Sequence, residues 1–242
     1  TVRPPFSGCD DFGLSASMHP AKEVGGDFYD FFLIDQDHCG VVIADVSGKG
    51  VPAALFMMRV KALLNQLLRE DLSPDQVLAR ANDGLCEDNE AGMFVTVWLG
   101  VLDLRSGKLV YANGGHNPPL YRHADGSVEW MRDRSGLLLG SFEGVPYRVF
   151  ERTMIRGDSL ILYTDGVTEA MDASDHCYGD ERLFQLVERE CDGYPASVSG
   201  VIEEDVRAFA EGADQADDIT LLVLRYDGQE NGPAASAAGN RG

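Results

Sequence analysis

The chain has 242 residues, 44% of them hydrophobic, and a formal net charge of −20 from 40 acidic and 20 basic residues. This length suits one large domain or two small ones, and the apolar content is enough for a hydrophobic core. The strongly negative field repels phosphate backbones and anionic lipid, so it argues against nucleic-acid binding and against direct membrane contact by this segment.

The five cysteines and five histidines argue against two further kinds of site. The cysteines are odd in number, widely spaced and free of any CxxC pair, which is typical of reduced thiols. No histidine spacing suits zinc, and no apolar run approaches the roughly 18 residues of a membrane span. We therefore expect a cytoplasmic protein, or the cytoplasmic part of a membrane-anchored sensor.

Composition divides the chain into one domain and two flanks. Residues 1–19, which begin without Met, are predicted to be a linker from a missing upstream region. Residues 20–227 show no internal linker and no repeat, so we expect a single domain there. Residues 228–242 are small and polar, which predicts a disordered tail.

The first half of this domain predicts a hairpin followed by two helices. Apolar runs at Phe28–Ile34 and Cys39–Val46 flank a short polar turn, as in a β-hairpin. From Val51 to Arg69 the apolar residues follow a helical period. The stretch Ser73-Pro74-Asp75-Gln76 resembles a capping box and predicts the start of a second helix that ends near Glu87.

The second half predicts a long block of strands, then two helices and a last strand. The predicted strands are Met93–Leu104, Lys108–Asn113, Pro119–His123, Ser127–Met131, Tyr147–Met154, Ser159–Thr164 and Ile219–Tyr226. The predicted helices are Asp180–Cys191 and about Ala196–Glu211. Because the helices are grouped around the strand block instead of alternating with strands, we expect an α+β fold with antiparallel sheets packed face to face.

Four aspartates each lie where an apolar strand gives way to a turn: Asp27, Asp45, Asp165 and Asp217. A carboxylate beside a buried strand costs free energy unless something neutralises it. Mg²⁺ and Mn²⁺ prefer oxygen ligands and are suitable counter-ions. One such aspartate would be an ordinary turn residue, but four of them predict a divalent metal site.

Asp45 is the natural bridge between two ions, because it ends a strand and precedes a sharp, glycine-containing turn into the predicted helix. The backbone carbonyl of Val46 could supply a further oxygen ligand. Two ions about 3.5–4 Å apart would lower the pKa of a shared water and orient it for in-line attack on a phosphoryl group. Such a centre predicts a hydrolase that needs no covalent nucleophile.

Five motifs resemble, in this order, the bacterial RsbU/SpoIIE branch of the metal-dependent Ser/Thr protein phosphatases, within the protein phosphatase 2C superfamily. They are VGGDFYD at 24–30, ADVSGKGVPA at 44–53, ANGGHNPP at 112–119, YTDGVTE at 163–169 and DDIT at 217–220. The resemblance covers about residues 20 to 226. It implies a two-layer antiparallel β-sandwich flanked by helix pairs, an α-β-β-α arrangement.

The resemblance also implies a binuclear Mn²⁺ or Mg²⁺ centre in the cleft between the sheets, with the four aspartates as catalytic residues. Asp45 would bridge both ions. Asp27 and the Val46 carbonyl would hold one ion, and Asp165 and Asp217 would hold the other.

The roles of two neighbouring groups stay open. Asp218 is a second candidate metal ligand beside Asp217. We prefer Asp217, because the resemblance implies that the first residue of the corresponding dipeptide is the ligand across the wider superfamily. The alternative for Asp218 is a supporting or turn role. Asn113, His116 and Asn117 either contact the substrate near the metals or form a loop braced by its own hydrogen bonds.

The implied function is a phosphoserine/phosphothreonine protein phosphatase that acts through a metal-activated water. The resemblance implies an output domain downstream of a sensory or receiver domain. It implies a phosphorylated STAS-domain protein (an anti-sigma-factor antagonist or its relative) as substrate. Whether the chain forms a homodimer stays open. The rival hypothesis is a catalytically inactive pseudophosphatase that binds a partner. Because all four aspartates are present, the sequence favours the enzyme.

The stretch Arg132–Arg148 is a candidate docking segment for the protein substrate. It carries Leu137-Leu138-Leu139 between glycines and could form a flap beside the cleft. An ordinary core strand is the alternative. A chain of this net charge should not recruit an acidic phosphoprotein by bulk electrostatics, so recognition requires a local surface.

Overall fold

A computed structural model describes residues 12–70, 72–87 and 89–228 of the chain. Within these ranges the chain forms ten strands and five helices. The strands are β1 Phe12–His19, β2 Phe28–Leu33, β3 His38–Val46, β4 Val95–Asp103, β5 Lys108–Gly114, β6 Leu120–Arg122, β7 Val128–Trp130, β8 Phe150–Thr153, β9 Ser159–Tyr163 and β10 Ile219–Tyr226. The helices are α1 Val51–Leu67, α2 Pro74–Cys86, α3 Asp165–Thr168, α4 Asp180–Glu190 and α5 Pro195–Phe209.

The strands form two five-stranded antiparallel sheets. Sheet I has the order β2-β3-β4-β5-β8, and sheet II has the order β1-β10-β9-β6-β7. One apolar cluster joins the two sheets, a second joins sheet I to α1 and α2, and a third joins sheet II to α4 and α5. This α-β-β-α arrangement confirms the predicted α+β sandwich.

Strand β3 contributes side chains to the apolar layers on both faces of sheet I. Val41 and Ile43 pack in the layer between the sheets, while Val42 and Ala44 pack against the helices. Successive side chains of a strand point to opposite faces, so a strand covered on both sides is apolar at nearly every position. The continuous apolar runs of the sequence have this origin.

The predicted hairpin, strands and long helices are all observed, with ends that differ from the predictions by a few residues. The predicted capping interaction is also present, since the Ser73 backbone N–H donates to Gln76 Oε1 at 3.2 Å. Helix α3 was not predicted, because one turn is too short to show a helical period.

The predicted linker at residues 1–19 needs a correction. Residues 12–19 form β1, which pairs with β10 from Phe12 opposite Tyr226 to His19 opposite Ile219. Small residues such as Gly13 and Ser15 gave this stretch a weak strand signal. The other part of the predicted linker, residues 1–11, lies outside the described residues, as does the predicted tail from 229 onwards.

Two observations bear on the expected location. Among the described cysteines, Cys86, Cys177 and Cys191 are free thiols. Within the described ranges no helix combines the length and the apolar character that crossing a bilayer requires.

Leu99 in the middle of β4 tests the packing of sheet I against the helices. Its side chain is fully buried in that cluster. Leu99→Ala should lower the free energy of unfolding by about 2–5 kcal/mol, because the deletion removes apolar contacts and leaves a cavity. Urea unfolding followed by circular dichroism measures the change, with Ile155→Ala at a half-exposed position as the control. Equal small effects of both substitutions would contradict the assigned core.

Candidate metal centre

Asp27 and Asp45 face the space between the sheets, at one end of the sandwich. Phe28 of β2 pairs with Ala44 of β3, and both side chains pack on the helix side of sheet I. The next residues along each strand therefore point the other way, and the same register places Asp27 opposite Asp45. Like charges directly opposite each other across a sheet are destabilising, so this pair needs compensation.

The other two aspartates approach the same end from sheet II. Asp165 begins α3 and is separated from β9 by a single residue, Thr164. Asp217 lies two positions before the start of β10. The four aspartates thus come from two strand ends of each sheet, and their role as metal ligands stays a prediction.

Two threonines of sheet II hold the carboxylate of Asp27. Thr164 Oγ1 and Thr220 Oγ1 each donate a hydrogen bond to Asp27 Oδ2, both at 2.7 Å. The Thr220 backbone N–H in turn donates to Thr164 Oγ1 at 3.1 Å. Since Asp27 is only 3% exposed, these bonds fix one predicted ligand and join the two sheets at this end.

The carboxylates raise one another's pKa values. Burial raises the pKa of Asp27 even though its two threonine donors oppose the change, and the charges of Asp218 and Asp165 add to the increase. Burial also raises the pKa of Asp45, followed by the charges of Asp27, Asp165 and Asp217. A divalent cation beside these groups would oppose both causes by stabilising the ionised carboxylates.

Asp217 differs from Asp27, because it already has a cationic partner. Lys49 Nζ lies 2.8 Å from Asp217 Oδ2 and also donates to the backbone carbonyl of Ala216 at 2.5 Å. The two side chains are 39% and 37% exposed. This ion pair therefore lies at the rim of the site, where water can reach it.

Asp218 supports the backbone before Asp27. Its Oδ1 accepts the Ala21 backbone N–H and its Oδ2 accepts the Gly26 backbone N–H, both at 2.8 Å. It is 8% exposed, and both carboxylate oxygens are engaged in these bonds. The observed contacts are those of the supporting alternative, while the choice between Asp217 and Asp218 as metal ligand stays a prediction.

Close approach of the backbone explains the two glycines before Asp27. A Cβ on Gly26 would lie 2.8 Å from the carbonyl oxygen of Val46, the predicted backbone ligand. A Cβ on Gly25 would collide with the carboxylate of Asp218. Any larger residue at either position would push apart the segments that carry the predicted ligands.

The carboxylate oxygens of the four aspartates suit a hard divalent cation, although they do not form a complete coordination shell. Among the described residues, no three His, Cys, Asp or Glu side chains lie close enough together to hold an ion as they stand. Asp27 is buried, whereas Asp45, Asp165 and Asp217 are each partly buried. All donors are oxygens, and among the salt bridges of the described residues none joins a basic side chain to Asp27 or Asp45. We conclude that the residues fit Mg²⁺ or Mn²⁺.

The polar loop after β5 shows the contacts of a braced loop. Asn113 Nδ2 donates to the His116 carbonyl at 3.0 Å, and the His116 N–H donates to Asn113 Oδ1 at 2.8 Å. His116 Nδ1 lies 2.8 Å from Thr96 Oγ1, and burial lowers the pKa of this histidine to about 4. Asn117 is half-buried and lies within hydrogen-bonding reach of the Tyr163 hydroxyl. Substrate contact by Asn113, His116 and Asn117 stays a prediction.

Sequence reasoning missed the residues that position the aspartates. Thr164 and Thr220 were passed over as strand residues, and Lys49 appeared only inside the motif ADVSGKGVPA. The strand period could have identified the threonines, because Thr220 shares a face with Leu222 and Leu224, which pack between the sheets. The ion pair of Lys49 had no such signal, since it joins positions 168 residues apart.

Known proteins resemble this chain in sequence and in fold. The family model described as Stage II sporulation protein E (SpoIIE) matches residues 35–227. The phosphoserine phosphatase RsbU of Bacillus subtilis is 30% identical over 212 residues, which cover 88% of this chain and 62% of RsbU. The chain therefore spans less than two thirds of that relative's length.

Solved structures show the same fold. The SiaA-PP2C domain of Pseudomonas aeruginosa superposes with a TM-score of 0.79 at 21% identity, and the match covers 88% of this chain and 86% of that one. The catalytic domain of the serine/threonine phosphatase PstP, in complex with 2 manganese ions, gives a TM-score of 0.62 at 16% identity, and the match covers 89% of this chain and 98% of that one.

Substituting Asp217 and Asp218 one at a time tests their roles. Asp218→Asn should lower the free energy of unfolding by about 1–3 kcal/mol, because an amide cannot accept both backbone N–H groups. Asp217→Asn should leave stability nearly unchanged, since its ion pair is at the rim, but it should weaken Mn²⁺ binding at least tenfold. Urea unfolding and titration with Mn²⁺ followed by electron paramagnetic resonance give both quantities. The reverse pattern would make Asp218 the ligand.

Proposed function

The chain belongs to the SpoIIE family of protein phosphatase 2C-type domains, and on that premise we propose that it is a metal-dependent phosphoserine/phosphothreonine protein phosphatase. The observation that carries the proposal is the pair of carboxylates, Asp27 and Asp45, placed opposite each other between the sheets without a basic partner. The similarity to the phosphoserine phosphatase RsbU over most of the chain supports the substrate class.

The proposed cofactor is a pair of Mn²⁺ or Mg²⁺ ions. Asp27 and the Val46 carbonyl would hold one ion, Asp165 and Asp217 the other, and Asp45 both. Bound there, the ions would supply Lewis acidity toward the phosphoryl group and lower the pKa of a nearby water.

The chain's own residues would hold this site in shape. Thr164 and Thr220 fix the Asp27 carboxylate by two hydrogen bonds, so its position does not depend on the cation. Asp218 holds the preceding backbone through the Gly26 N–H. Preorganised ligands of this kind lose little conformational entropy when an ion or a substrate binds.

The proposed substrate is a phosphorylated protein of the STAS class, and the proposed setting is a cytoplasmic signalling pathway with an upstream sensory or receiver domain. The support comes from the family alone. The free thiols of Cys86, Cys177 and Cys191 agree with a reducing compartment. The pseudophosphatase alternative gains no support from the site, since every predicted ligand is present.

Part of the segment 132–148 has the exposure that a docking surface needs. Leu139 is buried and exchanges backbone hydrogen bonds with Val95 at 2.9 and 3.0 Å, so it belongs to the core of sheet I. Leu138 is half-buried against Gly115. Leu137 is 58% exposed and lies two residues from Leu139, whose partner Val95 pairs with Val46 beside the proposed bridging ligand. We therefore assign the docking role to Leu137.

Metal dependence is the first test of the proposed activity. Hydrolysis of p-nitrophenyl phosphate should require Mn²⁺ or Mg²⁺ and stop with EDTA, because all proposed ligands are hard oxygens. Asp45→Ala should reduce kcat more than Asp27→Ala, since it removes a ligand from both ions. Full turnover in a chelator-treated, metal-free preparation would rule out this mechanism. A wild-type chain that binds Mn²⁺ without any turnover would instead support the pseudophosphatase.

Leu137→Asp tests the docking surface. The substitution should lower kcat/KM for a phosphoprotein substrate about tenfold, because it places a charge in an apolar contact, while p-nitrophenyl phosphate hydrolysis stays unchanged. Ile155→Asp, at a half-exposed position on another part of the surface, is the matched control. If both activities fell together with the melting temperature, the segment would be structural and the docking assignment wrong.

A further inference from the structure

Lys49 is the basic residue that contacts the predicted ligand set. Among the salt bridges of the described residues, its bond to Asp217 is the one that reaches a predicted metal ligand. It lies in the turn that joins Asp45 to α1, so the chain holds its backbone four residues from the proposed bridging ligand. Burial and the charges of Glu169 and Asp217 raise the pKa of Asp165, and the charge of Lys49 opposes only part of this increase.

The turn around Lys49 leaves room for its side chain to move. Gly48 and Gly50 have φ values of 84° and 80°, in the left-handed region, and a Cβ on either would meet nothing within 4 Å. The turn therefore projects into open space. With Lys49 39% exposed, no packed neighbour has to rearrange if its ammonium group leaves Asp217.

The contacts that Lys49 makes in the structure hold its ammonium group only weakly. An ion pair between side chains that are both more than a third exposed contributes little, because water screens the charges. A divalent cation on Asp217 would compete with the ammonium group for the same carboxylate and repel it. A phosphoryl group in the cleft offers the released ammonium group a new anionic partner, and lysine binds phosphate well as a point charge.

We propose that Lys49 is a substrate-binding residue that exchanges Asp217 for a phosphoryl oxygen when the site takes up its cation and its substrate. The inference rests on the proposed phosphatase function. The positive charge that would bind the phosphoryl group is then that of Lys49, in the turn after Asp45. No covalent step is involved.

Two measurements on the same variants separate this role from simple neutralisation of Asp217. The variants are Lys49→Met, Lys49→Gln as a second neutral replacement that can still donate to the Ala216 carbonyl, and Lys49→Arg. The control is Lys61→Met, since Lys61 is similarly exposed at 41% and pairs with an aspartate, Asp30, at 3.5 Å. Calorimetry gives the affinity for inorganic phosphate in the presence of Mg²⁺, and Mn²⁺ titration of the metal-free protein gives the metal affinity.

Lys49→Met and Lys49→Gln should weaken phosphate binding about 10- to 100-fold, the range expected for one lost charge-assisted hydrogen bond. Mn²⁺ binding should be unchanged or tighter, because a competing charge is removed. Lys49→Arg should retain phosphate binding within about threefold, and Lys61→Met should match the wild type.

Unchanged phosphate affinity in both neutral variants would overturn the inference and leave Lys49 as a counter-ion of Asp217. Loss of Mn²⁺ binding or a large drop in melting temperature in both neutral variants would overturn it in favour of a structural role. A wild-type chain that binds phosphate but hydrolyses no phosphoester would refute the proposed function, while the phosphate affinities would still decide the role of Lys49.

Discussion

The structure depends on one costly arrangement, in which the carboxylates of Asp27 and Asp45 lie opposite each other between two apolar sheets. Burial raises the pKa of both groups, and neighbouring carboxylates add to the increase, Asp218 and Asp165 at Asp27 and Asp27 first at Asp45. The chain offsets part of this cost with two threonine hydroxyls from the opposite sheet, which bind one oxygen of Asp27. The compensation is incomplete, because hydroxyl groups carry no net charge. The negative charge that the hydroxyl groups leave unbalanced is the physical reason to expect a cation there.

The same constraint explains features that are remote in sequence. The backbone before Asp27 must pass close to the Val46 carbonyl, which requires glycine at position 26. That backbone is held in turn by Asp218, 192 residues later in the chain. The sandwich brings these segments together because β10 and β3 are both interior strands, each second from the edge of its sheet. Interior strands are the least mobile positions of a sheet, so they suit a site that must hold like charges at short range.

The sequence predicted most of the fold, and the exceptions have identifiable causes. The long apolar runs and the helical period of α1 were sufficient, because each reflects burial on a regular face. Strand β1 was missed since its small residues carry little intrinsic preference, and its pairing with β10 is a tertiary contact. In the site, the aspartates were visible as strand-end carboxylates. Their supports, Thr164 and Thr220, act through contacts between sheets that no local pattern records.

The two halves of the proposed centre differ in how their charges are balanced. In the half formed by Asp27 and Asp45, Asp27 is buried and is held by neutral donors. In the half formed by Asp165 and Asp217, Lys49 already balances part of the charge. A cation entering the first half would relieve a repulsion that no basic side chain balances, whereas one entering the second half would have to compete with an ammonium group. On this argument a cation would gain more from the half that contains Asp27, and an arriving anion would act mainly on the half next to Lys49.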